Sequence, residues 1–226
     1  MINKLISGVI GFFTGKGFKN YLKSLKYSLY LIFHPFDGSW DLIHEKRGTY
    51  AAAHTIVILT LLTTIWDMRF TNFMLNGTRW SKVNIIMQIA SFLVPLGIWV
   101  LANWCLTTLM DGKGRFKEIY MATAYCLTPY VLIGIPMIFV SNVVTMEEGV
   151  FYTYFNIFAL IWAGFLILCA MMMIHDYSLM KGLGSTLLSI AGMAIIMFII
   201  LLFFSLISDA VGYFLSIYKE ISLRIG

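Results

Sequence analysis

The sequence predicts an all-α fold: a polytopic membrane protein with five transmembrane helices preceded by a cytoplasmic amphipathic interfacial helix. Three observations carry this. Of 226 residues, 60% are hydrophobic and only 12% charged, too few polar groups to cover the surface of a soluble domain. Five separate stretches hold the roughly twenty mostly apolar residues that about 30 Å of hydrocarbon requires. Ahead of the first, apolar residues and lysines recur with a helical period. The expected organisation is an N-terminal cytoplasmic and interfacial segment over residues 1–47, then a five-helix transmembrane domain over 48–226.

The first apolar stretch, Ile2 to Phe13, is short and glycine-interrupted, which predicts loose order. It runs into Lys16 and Lys19 without a small-residue cleavage pattern, so the N-terminus is expected to be retained. Next, Phe18, Leu22, Leu25, Leu29 and Ile32 recur at steps of four and three, and Lys16, Lys19, Lys23 and Lys26 keep the same rhythm beside them. A basic amphipathic helix of this kind lies in the membrane interface, where each lysine near an anionic surface contributes about 1 kcal/mol. A packed position on the bundle or on a partner is the competing reading.

The expected spans are 48–70, 83–110, 119–145, 150–174 and 185–207. The second holds Pro95, the third Pro129 and Pro136. Proline removes a helix donor, and in lipid the freed carbonyl must find another partner, so these two helices should face protein. Beyond Ser208 the mixed pattern predicts that the last helix continues out of the membrane or along its face. Basic residues set the orientation. Seven lie in the first fifty residues, three are Lys113, Arg115 and Lys117, and one is Lys181. These eleven fall on one side of a five-span chain, against Arg69, Arg79, Lys82, Lys219 and Arg224 on the other. The N-terminus is therefore expected in the cytoplasm, the C-terminus outside, and the chain in the cell membrane. The net charge of +5 reads as topology, not as a nucleic-acid footprint.

Candidate chemistry is sparse. In "HPFDGSWDLIHEKRG", His34, Asp37, Asp41 and His44 stand three, four and three apart and are weak metal-ligand candidates. Phe33, Phe36, Trp40 and Ile43 share that spacing one position earlier, which favours an aromatic-anchored interfacial turn. Trp40, Lys46 and Arg47 are expected to anchor this turn at the mouth of the first span. Asn103, Thr107 and Asp111 form a stripe at steps of four on the second span, readable as a polar track or as interhelical hydrogen bonding. His54 is expected to bond a carbonyl or a hydroxyl. Cys105, Cys126 and Cys169 lie in apolar runs with neither disulfide nor zinc spacing and read as small buried hydrophobes. Phosphate-loop, zinc-pair, nucleophile-turn and dinucleotide motifs are all missing, so no catalytic residue, metal or cofactor is expected.

The stretch "LANWCLTTLMDGKGRFKEIYMATAYCLTPYVL", Leu101 to Leu132, resembles the Yip family, the Ypt/Rab-interacting multispan membrane proteins, in its bacterial branch. The resemblance rests on Trp104 at the aromatic end of the second helix, Gly112 and Gly114 in the loop, and Ala124-Tyr125 with Pro129 opening the third. The Glu147-Glu148-Gly149 turn and the pre-membrane stretch resemble that branch too, over roughly residues 30–215. It implies a five-helix, non-enzymatic membrane protein. Eukaryotic members imply contact with Rab-type GTPases, but their Asp-Leu-Tyr-Gly-Pro motif is absent here. Bacterial members resemble companions of sugar-type ABC transport systems by gene neighbourhood.

The expected function is an integral membrane scaffold or accessory protein. Its partners are the lipid bilayer and another membrane protein, such as ABC transporter components, or a second copy of itself. The alternative is a small-molecule transporter or channel with a path between the second and third spans. A third reading, lipid handling, would use His34, Asp37, Asp41 and His44 against a headgroup or a metal.

Overall fold

Helices follow one another along the whole described chain. The computed structural model describes residues 15–75 and 83–225. The Ile2 to Phe13 stretch, Arg79 and Lys82 lie outside the described residues, as do the side chains of Lys16 and Arg224. There are eight described helices: α1 (Gly15–Phe33), α2 (Pro35–His44), α3 (Tyr50–Phe70), α4 (Ile85–Thr107), α5 (Phe116–Cys126), α6 (Thr128–Ser141), α7 (Gly149–His175) and α8 (Leu179–Ile225). Five segments are long and apolar enough to span a membrane: α3, α4, the α5–α6 pair, α7 and α8. The expected fold class is what the structure contains.

Local sequence explains the boundaries. Thr49 caps α3 by accepting from the Ala52 amide at 3.4 Å, and the Asn84 Oδ1 caps α4 through Ile86 and Met87 at 3.0 and 3.3 Å. Glu118 reaches back to the Arg115 amide at 2.9 Å, holding the first turn of α5. At the end of α7, Asp176 turns left-handed (φ 54°) and its N–H returns to the Met172 carbonyl.

The prolines differ in effect. Pro95 and Pro136 sit inside α4 and α6, whereas Pro129 follows the break at Leu127 that divides the third span. A proline at 129 cannot donate to the Tyr125 carbonyl, and the Thr128 hydroxyl donates to it instead, at 2.6 Å.

The core gathers α1, α2, α3, α5 and α7 at the end of the bundle nearest the N-terminus, around Leu31, Leu42, Ile56, Ile119, Tyr125 and Leu166. Alanines 52, 53, 122, 124 and 170, all buried, let the helix backbones approach closely. The pre-membrane segment belongs to the same packed unit, because Leu31 and Leu42 are fully buried in it. A Cβ at Gly38 would stand 3.0 Å from the Leu31 Cα, so only glycine lets α2 fold back this tightly on α1.

α4 packs mainly on α8. At about 1.5 Å per residue the 47 residues of α8 extend about 70 Å, well beyond the bilayer core. From Leu201 to Glu220 every residue is exposed, and the helix carries on past Ser208 as the sequence pattern indicates.

Candidate functional site: the N-terminal face of the bundle

Helix α1 has three faces. Tyr21, Ser24, Ser28 and Leu31 turn to the bundle, Phe18, Leu22, Leu29 and Phe33 stay exposed, and Lys19, Lys23 and Lys26 are exposed along the far flank. Hydrogen bonds hold the first face. Tyr21 donates to Thr55 Oγ1 on α3 at 3.0 Å, and the Tyr27 hydroxyl to the Gly38 carbonyl at 2.9 Å.

At the centre lies Tyr125, fully buried on α5. Ser24 Oγ donates to the Arg47 carbonyl at 3.0 Å and accepts from Thr49 Oγ1 at 3.1 Å. With its own proton committed, Ser24 accepts the Tyr125 hydroxyl at 2.6 Å, while the phenol oxygen accepts the Thr49 amide at 3.1 Å. One phenol thus ties α1, the 45–49 turn, the start of α3 and α5 together.

Arg47 is braced by its neighbours. Its guanidinium pairs with Glu45, contacts Asp41 at 3.3 Å and lies 5.8 Å from the Tyr27 ring centroid. Hydrogen bonding to Glu45 raises the Arg47 pKa, and burial together with Asp41 raises that of Tyr27. Lys46 is exposed beside it with φ 53°.

The second polar assembly joins α4, α7 and α8. His175, 2% exposed, accepts the Gly114 amide at Nδ1 (3.1 Å), so its ring proton is on Nε2, which faces Asn103 Oδ1 at 2.9 Å. The Asn103 amide donates to Ser189 Oγ at 3.2 Å, and Ser189 donates to the Ser185 carbonyl at 2.9 Å. A Cβ at Gly114 would come within 2.5 Å of both His175 Cε1 and Ile174 Cγ2, so the loop can approach the ring only as glycine. Lys113 and Asp176 close the assembly at 2.7 Å, and Lys113 holds the Asp176 carboxyl below the ordinary aspartate range.

The Yip1 domain family model matches residues 29–203. The chain belongs to the Yip1 domain family. No curated protein and no solved structure matches it. The matched region of this Yip1 domain begins within α1 after Ser24, takes in Arg47, Thr49, Tyr125 and the whole second polar assembly, and ends within α8. The family is one of multispan membrane proteins not known for enzymatic activity.

Apart from Lys16, whose side chain lies outside the described residues, each residue expected to matter has a definite place. Tyr125 is the hub described above, and Pro129 follows the helix break. Asn103 and Thr107 are buried, the former bonded to His175 and Ser189 and the latter to the Trp104 carbonyl at 2.5 Å. Asp111 does not continue their stripe, because α4 ends at Thr107 and Asp111 sits exposed in the following turn with φ 54°. Between α4 and α5, where a path would run, the Trp99 indole crosses to Thr123 Oγ1 at 3.3 Å.

The four weak metal candidates are not gathered. His34 lies in the break between α1 and α2, stacked on Tyr30 at 4.2 Å, and His44 is stacked on Trp40 at 3.6 Å. Asp41 faces Arg47 and Asp37 is exposed. Among the described residues no three His, Cys, Asp or Glu side chains converge to hold a metal. His54 faces the Tyr120 hydroxyl at 2.6 Å. Cys126 and Cys169 are buried; Cys105 is exposed, on the outer side of α4.

Sequence reasoning missed Ser24, Ser28, His175 and Asp67. The serines stand four apart within the α1 stripe, and Asp67 is a carboxylate inside the first span, so both signals were available. Asp67 accepts from the Thr71 hydroxyl at 2.7 Å and from the Tyr152 hydroxyl.

Proposed function

We propose that this Yip1 domain is a non-enzymatic membrane scaffold or accessory protein that lies partly in the membrane surface and holds another membrane protein. The observation that carries this is the construction of α1. Serine and tyrosine hydrogen bonds fix one face to the bundle, while Phe18, Leu22, Leu29, Phe33 and three lysines stay exposed. An interfacial helix needs that division between apolar and basic faces. In this reading the lysine-bearing face is cytoplasmic, the C-terminus is outside, and the chain resides in the cell membrane. The likeness to the bacterial branch extends the reading to ABC transport components as the protein held, with self-association as the other arrangement.

Crosslinking in native membranes, followed by purification and mass spectrometry, tests this. The expected product is one reproducible membrane-protein adduct or a homo-oligomer. Only the uncrosslinked monomer, at crosslinker levels that capture a known control complex, would overturn it. Labelling of single cysteines at Lys19 and Tyr213 from each side of the membrane tests the orientation, and modification of both from one side would refute it.

A further inference from the structure

Beneath α1 runs an apolar groove of about 450 Å³, walled by Leu22, Lys26 and Leu29 of α1, Leu59 of α3, and Val131 and Leu132 of α6. That volume lies within the range of small-molecule sites, about 300–1,000 Å³. Its two hydroxyl-bearing residues turn their donors away from the space: Ser28 donates to the Leu25 carbonyl at 2.7 Å and Thr128 to the Tyr125 carbonyl at 2.6 Å. Apart from the Lys26 ammonium at the rim, the walls therefore offer only hydrocarbon. At the rim the chemistry changes abruptly. Lys26 borders the groove, Lys19 and Lys23 continue its flank, and no carboxylate among the described residues pairs with any of the three.

We infer that this groove holds one acyl chain of an anionic glycerophospholipid, its phosphate set against Lys26 and Lys23. Charge complementarity chooses the occupant. A chain moving from bilayer to groove exchanges one hydrocarbon setting for another and gains little hydrophobic free energy. Retention of one lipid class over another must therefore come from the headgroup, and three unpaired ammonium groups select negative charge. A zwitterionic lipid carries a cation that these lysines repel. The inference rests on the interfacial position of α1 in the reading above and gives the lysine flank a defined ligand.

The test uses the full chain in nanodiscs of equal parts phosphatidylglycerol and phosphatidylcholine, extracted into mild detergent, with the co-purifying lipid measured by mass spectrometry. About one phosphatidylglycerol per chain is expected, in excess over phosphatidylcholine. Leu132→Trp, at a half-exposed position, fills the groove with the lysines intact and should abolish retention. Lys23→Gln with Lys26→Gln changes only exposed side chains and should lower the preference by roughly fivefold per lysine. Retained lipid in the one-to-one ratio of the disc, or undiminished phosphatidylglycerol in Leu132→Trp, would overturn the inference. A spin label at Phe18→Cys in a Cys105→Ser background reports the depth of α1, since Cys126 and Cys169 are buried. A label in the lipid phase without lipid retention removes the groove alone, and a label in water removes the interfacial reading as well.

Discussion

Replacing Asn103 by leucine tests the assembly that fastens α4 and α8 to α7. The two side chains are close in size, so the change removes polarity more than volume. Two losses follow. The His175 Nε2–H is left without its acceptor in a site 2% exposed, which costs about 1–3 kcal/mol. The bond to Ser189 disappears, worth about 0.6 kcal/mol on average for interhelical hydrogen bonds in membranes. Ser189 keeps its own donation to Ser185, so no further buried donor is orphaned. The expected destabilisation is roughly 2–4 kcal/mol, read by reversible unfolding in mixed detergent micelles with tryptophan fluorescence. His175→Phe alone strands both Asn103 Oδ1 and the Gly114 amide. In the double variant only the Gly114 amide remains stranded, so the two single costs should exceed the double cost by about 1 kcal/mol or more. Additivity within about 0.3 kcal/mol would refute the pairing. A polar track for solute would instead show Asn103→Leu abolishing a substrate flux while leaving stability intact.

Three other outcomes are expected. Gly114→Ala forces a Cβ to within 2.5 Å of His175 and Ile174 and should destabilise by about 1–3 kcal/mol in the same unfolding measurement. Tyr125→Phe leaves the Thr49 amide unpaired and takes a donor from Ser24. It should cost about 1–3 kcal/mol and speed hydrogen exchange across α1 more than across α7. The Asp176 carboxyl is depressed by Lys113, so the stability it lends is complete above the ordinary aspartate range and fades as pH falls through the lower folded value. Thermal scans between pH 2 and 7 should show this small acid-side loss, and Lys113→Met should remove it.

The spans were legible because the bilayer imposes one dominant requirement, length of apolar sequence, and only Asp67 and Arg69 of the chain's charges fall inside the expected spans. Small errors arose where local capping decides the end: α4 stops at Thr107 because Asp111 follows in a left-handed turn, not because hydropathy falls. Pro129 was legible as a missing donor within one span over 119–145, but neither the break at Leu127 nor the Thr128 hydroxyl satisfying the Tyr125 carbonyl was. The docking face of α1 was hidden for a different reason. Tyr21 and Ser24 read as polar residues interrupting an apolar stripe, and only Thr55, Thr49 and Tyr125, brought in from as far as 101 residues away, turn them into contacts. His175 and Asn103 stand 72 residues apart, and no spacing rule joins them.

The two polar assemblies bear on how a membrane protein of this composition can hold a unique arrangement. Between apolar helices in lipid there is little hydrophobic driving force, so packing and interhelical hydrogen bonds decide which faces meet. Here most of the bonds lie at one end, while at the other Tyr152 joins Asp67 and the Asn142 amide donates to the Phe70 carbonyl at 2.8 Å. Tyr125 and Ser24 fix α1 to α3 and α5, and His175 with Asn103 and Ser189 fixes α4 and α8 to α7. Farther along, α8 meets α4 through small residues, with Gly192 close enough that a Cβ would lie 3.6 Å from that of Ala102. From Leu201 to Glu220 it presents only exposed side chains, Phe203, Phe204, Tyr213 and Phe214 among them. In the proposed reading, a bundle bonded most densely at the lysine-bearing end and exposed along its last helix is held at one membrane surface and offers a long apolar face elsewhere. That division suits a scaffold, whereas a transporter needs its polar groups free to face a path, and Asn103, Thr107, Thr123 and His175 are all bonded within the protein.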